Sequence, residues 1–259
     1  MTHQEALWLM AYALGLNVAQ VLARNSFTPE EEAKIDAVLS RREKGEPLQY
    51  IMGEADFLGR DFCVGPGVLI PRADTGTLIE GVRHCAGDEA FRFVDWGTGS
   101  GCIAVSILLE YPEAYGYMVE VSEQAVEFAR INLERFGLTQ RAEILSSAEG
   151  LSDCRVMVSN PPYIPSAEIE GLMREVRDYE PRSALDGGAD GLKFYREIVA
   201  LAEGIGCEFL VLEVGCLQQV DFLRNASRKF TLREKVLDDG GFPRCSVLKR
   251  RDNHEEACG

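Results

Sequence analysis

Residues 155–163, Arg155-Val-Met-Val-Ser159-Asn160-Pro161-Pro162-Tyr163, contain the most informative pattern in this chain. The first five residues are mostly apolar, which is typical of a buried strand in a parallel sheet. The Asn-Pro-Pro-Tyr tetrapeptide follows directly, so we predict that it lies at the carboxyl end of that strand. Residues with chemical roles are therefore expected at this edge of the sheet.

The residue types at positions 160–163 suit one task, which is to hold a planar NH2 group in front of an electrophile. A carboxamide nitrogen is a poor nucleophile because its lone pair is delocalised into the carbonyl group, so each of its N–H groups needs a fixed acceptor. The side-chain oxygen of Asn160 can be one acceptor and the backbone C=O of Pro161 the other, because Pro161 and Pro162 restrict the backbone and donate no hydrogen bonds. The ring of Tyr163 can cover the flat face of the bound group. We predict that these four residues are catalytic; a proline-rich turn with a packing tyrosine is the alternative for the tetrapeptide taken alone.

The composition limits the partners of this protein. Its 259 residues suffice for a large and a small domain, and 42 acidic residues against 27 basic ones give a formal net charge of -15. Such a chain is repelled by phosphate backbones unless it carries a basic patch. The run Lys249-Arg250-Arg251 is short, and we interpret it as a solvated strand end. We therefore expect no direct nucleic-acid partner.

The cysteines and histidines point to no metal or disulfide. None of the eight cysteines forms a C-x-x-C pair, and we interpret them as small buried apolar residues of a reduced cytosolic protein. The three histidines lie outside any metal-ligand spacing, so no metal is expected. No apolar run approaches ~18 residues and no signal-peptide pattern is present, so we expect a soluble, cytoplasmic protein without a membrane partner. A monomer is the default expectation.

Hydrophobic patterning divides the chain into three parts. Residues 1–45 have apolar side chains at helical spacing and are predicted to form an N-terminal helical domain. Residues 46–84 contain short extended runs between glycines and then a helical pattern, which predicts a β-hairpin connector and a linking helix. In residues 85–259 strands and helices alternate until two final extended runs, which predicts an α/β fold with a mostly parallel, Rossmann-like sheet and an antiparallel last strand. We expect the polar tail from Asp252 to fray.

A glycine-rich turn follows the strand predicted over residues 91–96. Its glycines at 97, 99 and 101 allow a tight turn and close approach of a ligand, whereas a dinucleotide fingerprint would need glycine where Cys102 stands. Glu120 ends the next predicted strand, where an acid meets ribose hydroxyls. Asp95 adds a carboxylate suited to an ammonium and a sulfonium group. These features favour S-adenosylmethionine over a nicotinamide cofactor, although a plain tight turn or an NAD site would also fit the glycine turn alone.

Together these segments resemble the protein-(glutamine-N5) methyltransferases that modify the Gly-Gly-Gln loop of peptide chain release factors. The resemblance covers nearly the whole chain and includes the glycine turn and the tetrapeptide described above. Further matching segments are Glu46-Pro-Leu-Gln-Tyr50, Pro66-Gly-Val-Leu-Ile-Pro-Arg72, Tyr179-Glu-Pro181, Gly187-Gly-x-Asp-Gly-Leu192, Glu213-Val-Gly215 and Gln218-Gln219. The resemblance implies a seven-stranded methyltransferase sheet behind a helical module that contacts the release factor.

The resemblance also implies roles for individual residues. The residues expected to contact S-adenosylmethionine, and its product S-adenosylhomocysteine, are Asp95, Gly97, Thr98, Gly99, Ser100, Gly101, Glu120 and Asn160. After the third strand this chain has Leu145-Ser-Ser-Ala148 where the family usually has an acid, so Ser147 or Glu149 is expected to take that place. The implied reaction transfers the methyl group to the side-chain amide nitrogen of the Gly-Gly-Gln glutamine.

Three other functions agree with parts of the pattern. An Asn-Pro-Pro-Tyr segment also occurs in methyltransferases that modify the exocyclic amine of adenine in nucleic acid, where a flipped base would occupy the same site. The glutamine substrate could belong to a ribosomal protein instead. A divergent relative that binds the cofactor and a partner without turnover is the third alternative. The complete tetrapeptide and the net charge favour the release factor reaction.

Overall fold

Three helices open the chain, and the sequence explains where each begins. The computed structural model describes residues 1–87 and 89–251, and its first helices are α1 (His3–Leu14), α2 (Val18–Leu22) and α3 (Pro29–Glu43). Each is preceded by a residue whose side chain accepts a hydrogen bond from the first turn, while the side chain three positions later bonds back to it. These capping residues are Thr2, Asn17 and Thr28. Helix α3 has proline at its first position, where the N–H that proline lacks would have no partner within the helix.

The connector contains the expected hairpin and one helix that the pattern did not predict. The short helix α4 (Leu48–Met52) precedes β1 (Glu54–Phe57) and β2 (Arg60–Cys63), which pair in antiparallel fashion. The linking helix α5 (Gly76–Ala86) follows a 3-10 turn at Ala73–Thr75. The domain divisions after residues 45 and 84 stay predictions.

The larger sheet has the predicted α/β arrangement. Its strands are β3 (Arg92–Trp96), β4 (Tyr115–Val119), β5 (Ala142–Leu145), β6 (Val156–Ser159), β7 (Phe209–Glu213), β8 (Phe230–Leu237) and β9 (Pro243–Arg250). They lie in the order β5-β4-β3-β6-β7-β9-β8. Strands β3 to β7 are parallel, and β9 pairs in antiparallel fashion with both β7 and β8. The predicted seven-stranded sheet with an antiparallel last strand is confirmed.

Helices cover both faces of this sheet. They are α5 together with α6 (Cys102–Glu110), α7 (Glu123–Arg135), α9 (Lys193–Ile205) and α10 (Leu217–Asn225). The short helix α8 (Arg174–Tyr179) buries none of its residues. Helices α5, α6 and α7 contribute to one buried apolar cluster with β3 and β6, and α9 and α10 contribute to a second cluster with β7. The pattern did not predict α8, because only Val176 and Tyr179 interrupt its charged residues.

The order of strands places two functional segments side by side. Strand β3 has β4 on one side and β6 on the other, so the direction in which the chain winds reverses next to it. Asp95 of β3 is paired with Val158 of β6. The glycine turn that follows Trp96 and the tetrapeptide that follows Ser159 therefore leave the same edge of the sheet, where ligands bind in folds of this type.

Two expectations about individual residues are corrected by the structure. Most described cysteines are buried, but Cys216 is exposed, because it lies at the N-terminal end of α10 and not in the core. The basic run at the end of β9 is partly structural, since the Arg250 guanidinium donates to the backbone oxygens of Cys207 and Ala202. The tail from Asp252, with Cys258 and His254, lies outside the described residues.

The structure also bears on the expectations about membranes and metals. Within residues 1–87 and 89–251, every helix is too short or too polar to cross a bilayer. The same residues contain no cluster of three or more His, Cys, Asp or Glu side chains with the geometry of a metal site.

Asn132 of α7 fastens the connector to the larger domain. Its side chain is fully buried and makes three hydrogen bonds. The Oδ1 atom accepts from the Cys63 N–H at 2.8 Å, and Nδ2 donates to the Cys63 oxygen at 3.0 Å and to the Ser100 oxygen at 2.8 Å. One carboxamide thus holds the end of β2 against the glycine turn.

Replacing this carboxamide should destabilise the protein measurably. We expect Asn132→Ala to lower the free energy of unfolding by on the order of 3 kcal/mol, because each buried polar group that loses its partner costs about 1–3 kcal/mol. Urea denaturation followed by circular dichroism measures this change. Arg130→Ala, which removes an exposed ion pair with Glu127 on the same helix, is the control and should change stability by less than about 0.5 kcal/mol. Equal losses in the two variants would contradict the role of Asn132.

Candidate active site

The glycine turn follows β3 and depends on a backbone conformation that favours glycine. Gly97, Gly99 and Gly101 have φ angles of 70°, 56° and 81°. A Cβ on Gly101 would lie 2.9 Å from Cε of Met118, whereas a Cβ on Gly97 would meet no atom within 4 Å. Gly101 is therefore needed for packing behind the turn, and Gly97 presents its backbone to open space where a ligand can approach.

Asp95 supports the turn from beneath. It is fully buried, and its Oδ2 accepts from the Thr98 hydroxyl at 2.5 Å and from the Ala104 N–H at 3.2 Å. Its Oδ1 has no hydrogen-bond partner in the described residues. Burial raises the pKa of Asp95 to about 7, although both hydrogen bonds act to lower it. The structure thus places Asp95 and Gly101 behind the turn, while Gly97, Thr98, Gly99 and Ser100 line a cavity.

Glu120 faces the turn from the end of β4. Its Oε2 accepts from the Gly99 N–H at 3.0 Å, and its Oε1 accepts from the N–H groups of Val121 and Ser122 at 2.8 and 2.9 Å. The carboxylate therefore joins the turn after β3 to the start of α7. It lines the same cavity as Gly97, and its contact with a ribose stays a prediction.

Three neighbouring cavities run along this edge of the sheet. The central one has a volume of about 230 Å3 and contains the glycine turn, Glu120 and Asn160. A second, of about 330 Å3, shares Gly97 and Glu120 with it and reaches the exposed side chains of Ser147 and Glu149. A third, of about 190 Å3, shares Asn160 with the central one. All predicted site residues except Asp95 and Gly101 thus line cavities that share residues with one another.

The third cavity is where the tetrapeptide lies. Asn160 Nδ2 donates to the Thr75 hydroxyl oxygen at 3.1 Å, which leaves the carboxamide oxygen as the free acceptor. Pro161 and Tyr163 line this cavity, and Pro162 lines the central one. The Tyr163 hydroxyl donates to Glu213 Oε1 at 3.3 Å, and burial raises the tyrosine pKa far above its ordinary value, so the hydroxyl keeps its proton.

The sequence reasoning missed the connector wall of the site, residues 67–75. Of these, Gly67, Val68, Leu69, Pro71, Arg72 and Thr75 line the central cavity. Two distant residues hold this wall in place: the Tyr50 hydroxyl donates to the Val68 oxygen at 2.5 Å, and buried Glu180 accepts from the Ile70 N–H and pairs with Arg72. The signal was present, since residues 66–72 and 179–181 were both recognised as matching segments, but the pattern gave them no role.

The site fits a ligand that has both hydroxyl groups and an extended apolar body. Glu120 offers a carboxylate to hydroxyl hydrogens, and the turn leaves its backbone uncovered at Gly97. The lining of the central cavity also includes apolar side chains such as Val68, Ile103 and Phe194. A nucleoside with a methionine-like chain has this character.

Two family models match the chain. The PrmC N-terminal domain matches residues 2–53, and the methyltransferase small domain matches residues 62–175. A release factor glutamine methyltransferase of Geobacter sulfurreducens is 46% identical over 202 residues, covering 76% of this chain and 71% of that protein. The protein with this description from Moorella thermoacetica is 36% identical, covering 96% and 91%.

A solved structure agrees with the fold. The catalytic domain of hMettl16 in complex with MAT2A 3'UTR hairpin 6 superposes with a TM-score of 0.59 at 18% identity, covering 88% of this chain and 84% of that one. At this level of identity the likeness concerns the fold alone.

A methyltransferase domain accounts for a sheet that carries a glycine turn and an Asn-Pro-Pro-Tyr segment on one edge, so this protein is a methyltransferase. The helical domain in front of that sheet and the relatives that span most of the chain narrow the class. The chain belongs to the release factor glutamine methyltransferase family.

The buried carboxyl of Asp95 should make stability depend on pH. Its pKa is about 7 in the folded protein against an ordinary value of 3.8, so its contribution is complete below the lower value and is lost as the pH rises toward the higher one. We expect Asp95→Asn to weaken the fall in unfolding free energy between about pH 5 and about pH 8 by about 2–3 kcal/mol. Urea denaturation at both pH values measures this. Asp61→Asn, which neutralises an exposed carboxyl, should follow the wild type, and an unchanged pH dependence in Asp95→Asn would contradict the assignment.

Proposed function

We propose that this protein transfers the methyl group of S-adenosylmethionine to the side-chain amide nitrogen of the Gly-Gly-Gln glutamine in a peptide chain release factor. The observation that carries the proposal is the bond from Asn160 Nδ2 to Thr75, because it leaves the carboxamide oxygen free on a residue that lines both the central cavity and the third cavity. The printed descriptions of the relatives support the choice of substrate. The reaction would take place in the cytoplasm, with a monomer as the acting species.

The cofactor would lie across the central and second cavities. S-adenosylmethionine, when bound, supplies an electrophilic methyl group on a sulfonium. The uncovered backbone of residues 97–100 would line its methionine part, and Glu120 would accept hydrogen bonds from its ribose hydroxyls. Ser147 and Glu149 are placed where the second cavity could receive the base. Asp95 and Gly101 would act indirectly, by holding the turn in shape.

The acceptor glutamine would enter the third cavity. Its two N–H groups would donate to Asn160 Oδ1 and to the backbone oxygen of Pro161, and the Tyr163 ring would cover its flat face. A Cβ on Gly215 would lie 2.7 Å from the ring of Tyr163, so the ring is packed from behind and cannot turn away freely. These contacts orient a weak nucleophile and exclude water from it, which is the main help the site can give. The proton can leave to solvent after transfer.

The helical domain would contribute to partner binding. Arg42 of α3 pairs with Glu5 of α1 at 2.6 Å and with Glu175 of α8 at 2.7 Å. Helix α8 carries Val176, which lines the third cavity. A release factor that presents its Gly-Gly-Gln loop to this cavity would therefore lie close to the helical domain.

The identity of the acceptor can be tested directly. Purified protein with labelled S-adenosylmethionine should label a release factor on the Gly-Gly-Gln glutamine, located by mass spectrometry. It should not label nucleic acid, because the net negative charge of the protein repels phosphate groups. A release factor with that glutamine changed to alanine is the control and should stay unlabelled. Two parallel reactions replace the release factor, one with a ribosomal protein and the other with duplex DNA. Labelling of DNA or of the ribosomal protein alone would replace the proposed substrate.

The role of Asn160 can be separated from cofactor binding. We expect Asn160→Ala to lower kcat by about a hundredfold or more, since misplacing a weak nucleophile has effects of this size. The affinity for S-adenosylhomocysteine, measured by calorimetry, should stay within about threefold of wild type, because Asn160 mainly orients the acceptor. Asn225→Ala, which changes an exposed residue at the end of α10, is the matched control and should leave both quantities unchanged. An affinity loss as large as the rate loss would argue against this division of roles.

A further inference from the structure

Glu213 is a buried carboxyl that the proposed reaction does not yet use. It is the last residue of β7 and is 2% exposed. Its Oε1 accepts from the Tyr163 hydroxyl, and its Oε2 is buried without a partner at full hydrogen-bond geometry. The Thr75 hydroxyl acts to lower the pKa of Glu213, as the Tyr163 hydroxyl does. Glu213 therefore stands behind two residues of the acceptor site.

Thr75 connects Glu213 to Asn160. It is 2% exposed, so its hydroxyl must find its partners within the protein. A hydroxyl group has one hydrogen and two lone pairs, and one lone pair accepts from Asn160 Nδ2. The hydroxyl hydrogen is then free to point to the Glu213 carboxylate. With that hydrogen on Glu213, all the hydrogens of this chain would point the same way, from Asn160 to Thr75 and from Thr75 to Glu213.

We propose that Glu213, acting through Thr75, determines which end of the Asn160 carboxamide faces the acceptor. The two residues are positioning residues, and the inference rests on the proposed function. A carboxamide has an acceptor end and a donor end of almost equal shape, so packing alone selects neither. An acceptor beyond Thr75 breaks this symmetry, because it occupies the threonine hydrogen and leaves only a lone pair for Asn160.

Removal of that acceptor would permit the opposite orientation. The Thr75 hydrogen could then point to Asn160 Oδ1, and the carboxamide would turn its NH2 group toward the cavity. Two NH2 groups, one from Asn160 and one from the substrate glutamine, would face each other without a hydrogen bond. The substrate amide would lose one of its two fixed acceptors, while the cofactor cavity would stay intact.

The charge of Glu213 adds a dependence on pH. The pKa of Glu213 is raised to about 7, and burial is the main cause. The charge of Asp74 also raises this pKa, whereas the hydroxyls of Thr75 and Tyr163 and the charge of Arg244 lower it. Arg244 forms ion pairs with both Asp74 and Asp238, with its Nε 3.2 Å from Asp74 Oδ2 and 2.9 Å from Asp238 Oδ2. The other titratable groups nearby are Tyr163, Tyr195, Cys102 and Cys245, and burial raises the pKa of each, so they stay neutral.

The direction of the effect follows from these charges. Above about pH 7 an ionised Glu213 accepts the threonine hydrogen and the chain of bonds is directed. Below it, a protonated carboxyl can donate to Thr75 and the direction is no longer fixed. Acceptor binding and turnover should therefore decline as the pH falls. Asp95 also has a pKa of about 7, but it supports the turn that would hold the cofactor. Measuring cofactor affinity at each pH therefore distinguishes the effect of Asp95 from that of Glu213.

Steady-state kinetics on four variants test the proposal. Thr75→Val keeps the shape and removes the hydroxyl, Thr75→Ser restores the hydroxyl, and Glu213→Gln keeps the shape and removes the charge. Thr77→Val is the matched control, because its hydroxyl donates to the Asp74 backbone oxygen instead. We expect Thr75→Val and Glu213→Gln to lower kcat/KM for the release factor at least about tenfold, with S-adenosylhomocysteine affinity within about twofold of wild type. Thr75→Ser and Thr77→Val should stay within about threefold of wild type.

A spectroscopic measurement tests the hydrogen-bond direction without any acceptor. The side-chain NH2 resonances of Asn160 are assigned by their absence in Asn160→Ala and followed across pH in 15N-labelled protein. They should shift with a midpoint near pH 7 in the wild type, and this step should disappear in Glu213→Gln. Because this readout needs no substrate, it holds or fails independently of methyl transfer to a release factor.

Several results would overturn the inference. One is kcat/KM within about twofold of wild type in both Thr75→Val and Glu213→Gln. Another is an equal loss in Thr75→Ser and Thr75→Val, which would assign the effect to the threonine methyl group. A third is an Asn160 NH2 signal that ignores both pH and Glu213→Gln. A double variant of Thr75→Val and Glu213→Gln should be no slower than the worse single variant, and full additivity would also contradict a shared chain of bonds.

Discussion

The parallel pairing of β3 with β6 is the constraint on which the site depends. Parallel strands end at the same edge of a sheet, and the pairing of Asp95 with Val158 brings those two ends into register. The glycine turn and the tetrapeptide each need only local backbone chemistry, but neither is a site alone. A shift of one residue between these strands would exchange the faces of every side chain on β6 and separate the two cavities.

The connector is the second requirement, because the sheet edge leaves the site open on one side. Residues 67–75 close that side only because distant groups hold them: Tyr50 binds Val68, Glu180 binds the Ile70 N–H, and Asn132 holds the end of β2. Burying Glu180 carries a desolvation cost that raises its pKa, and the Arg72 ion pair offsets part of it. The helical domain is thereby joined to the chemistry through contacts and not through the chain alone.

The sequence predicted the features that follow from periodicity and short motifs. The alternation of strand and helix patterns predicted the parallel sheet. Short motifs predicted the glycine turn and the tetrapeptide at the end of a strand, and the family resemblance predicted the reaction. Helices α4 and α8 were missed because five or six residues contain too little periodicity. The contact between Asn160 and Thr75 was missed because the residues are 85 positions apart, and only the packed fold brings them together. Contacts between residues that are distant in the sequence are needed to explain how an individual residue acts.

Recognition of one carboxamide by another explains why a buried acid belongs behind this site. An Asn side chain is suited to an amide substrate because it can accept one of its hydrogens, yet the same side chain can offer donors when it turns over. A hydroxyl partner does not remove this ambiguity, since it can donate or accept. Only a group that accepts and does not donate, such as an ionised carboxylate, fixes the direction of the whole chain of bonds. Under the proposed function, the unfavourable burial of Glu213 is the physical condition for a site that would present an oxygen, and not an NH2 group, to the glutamine.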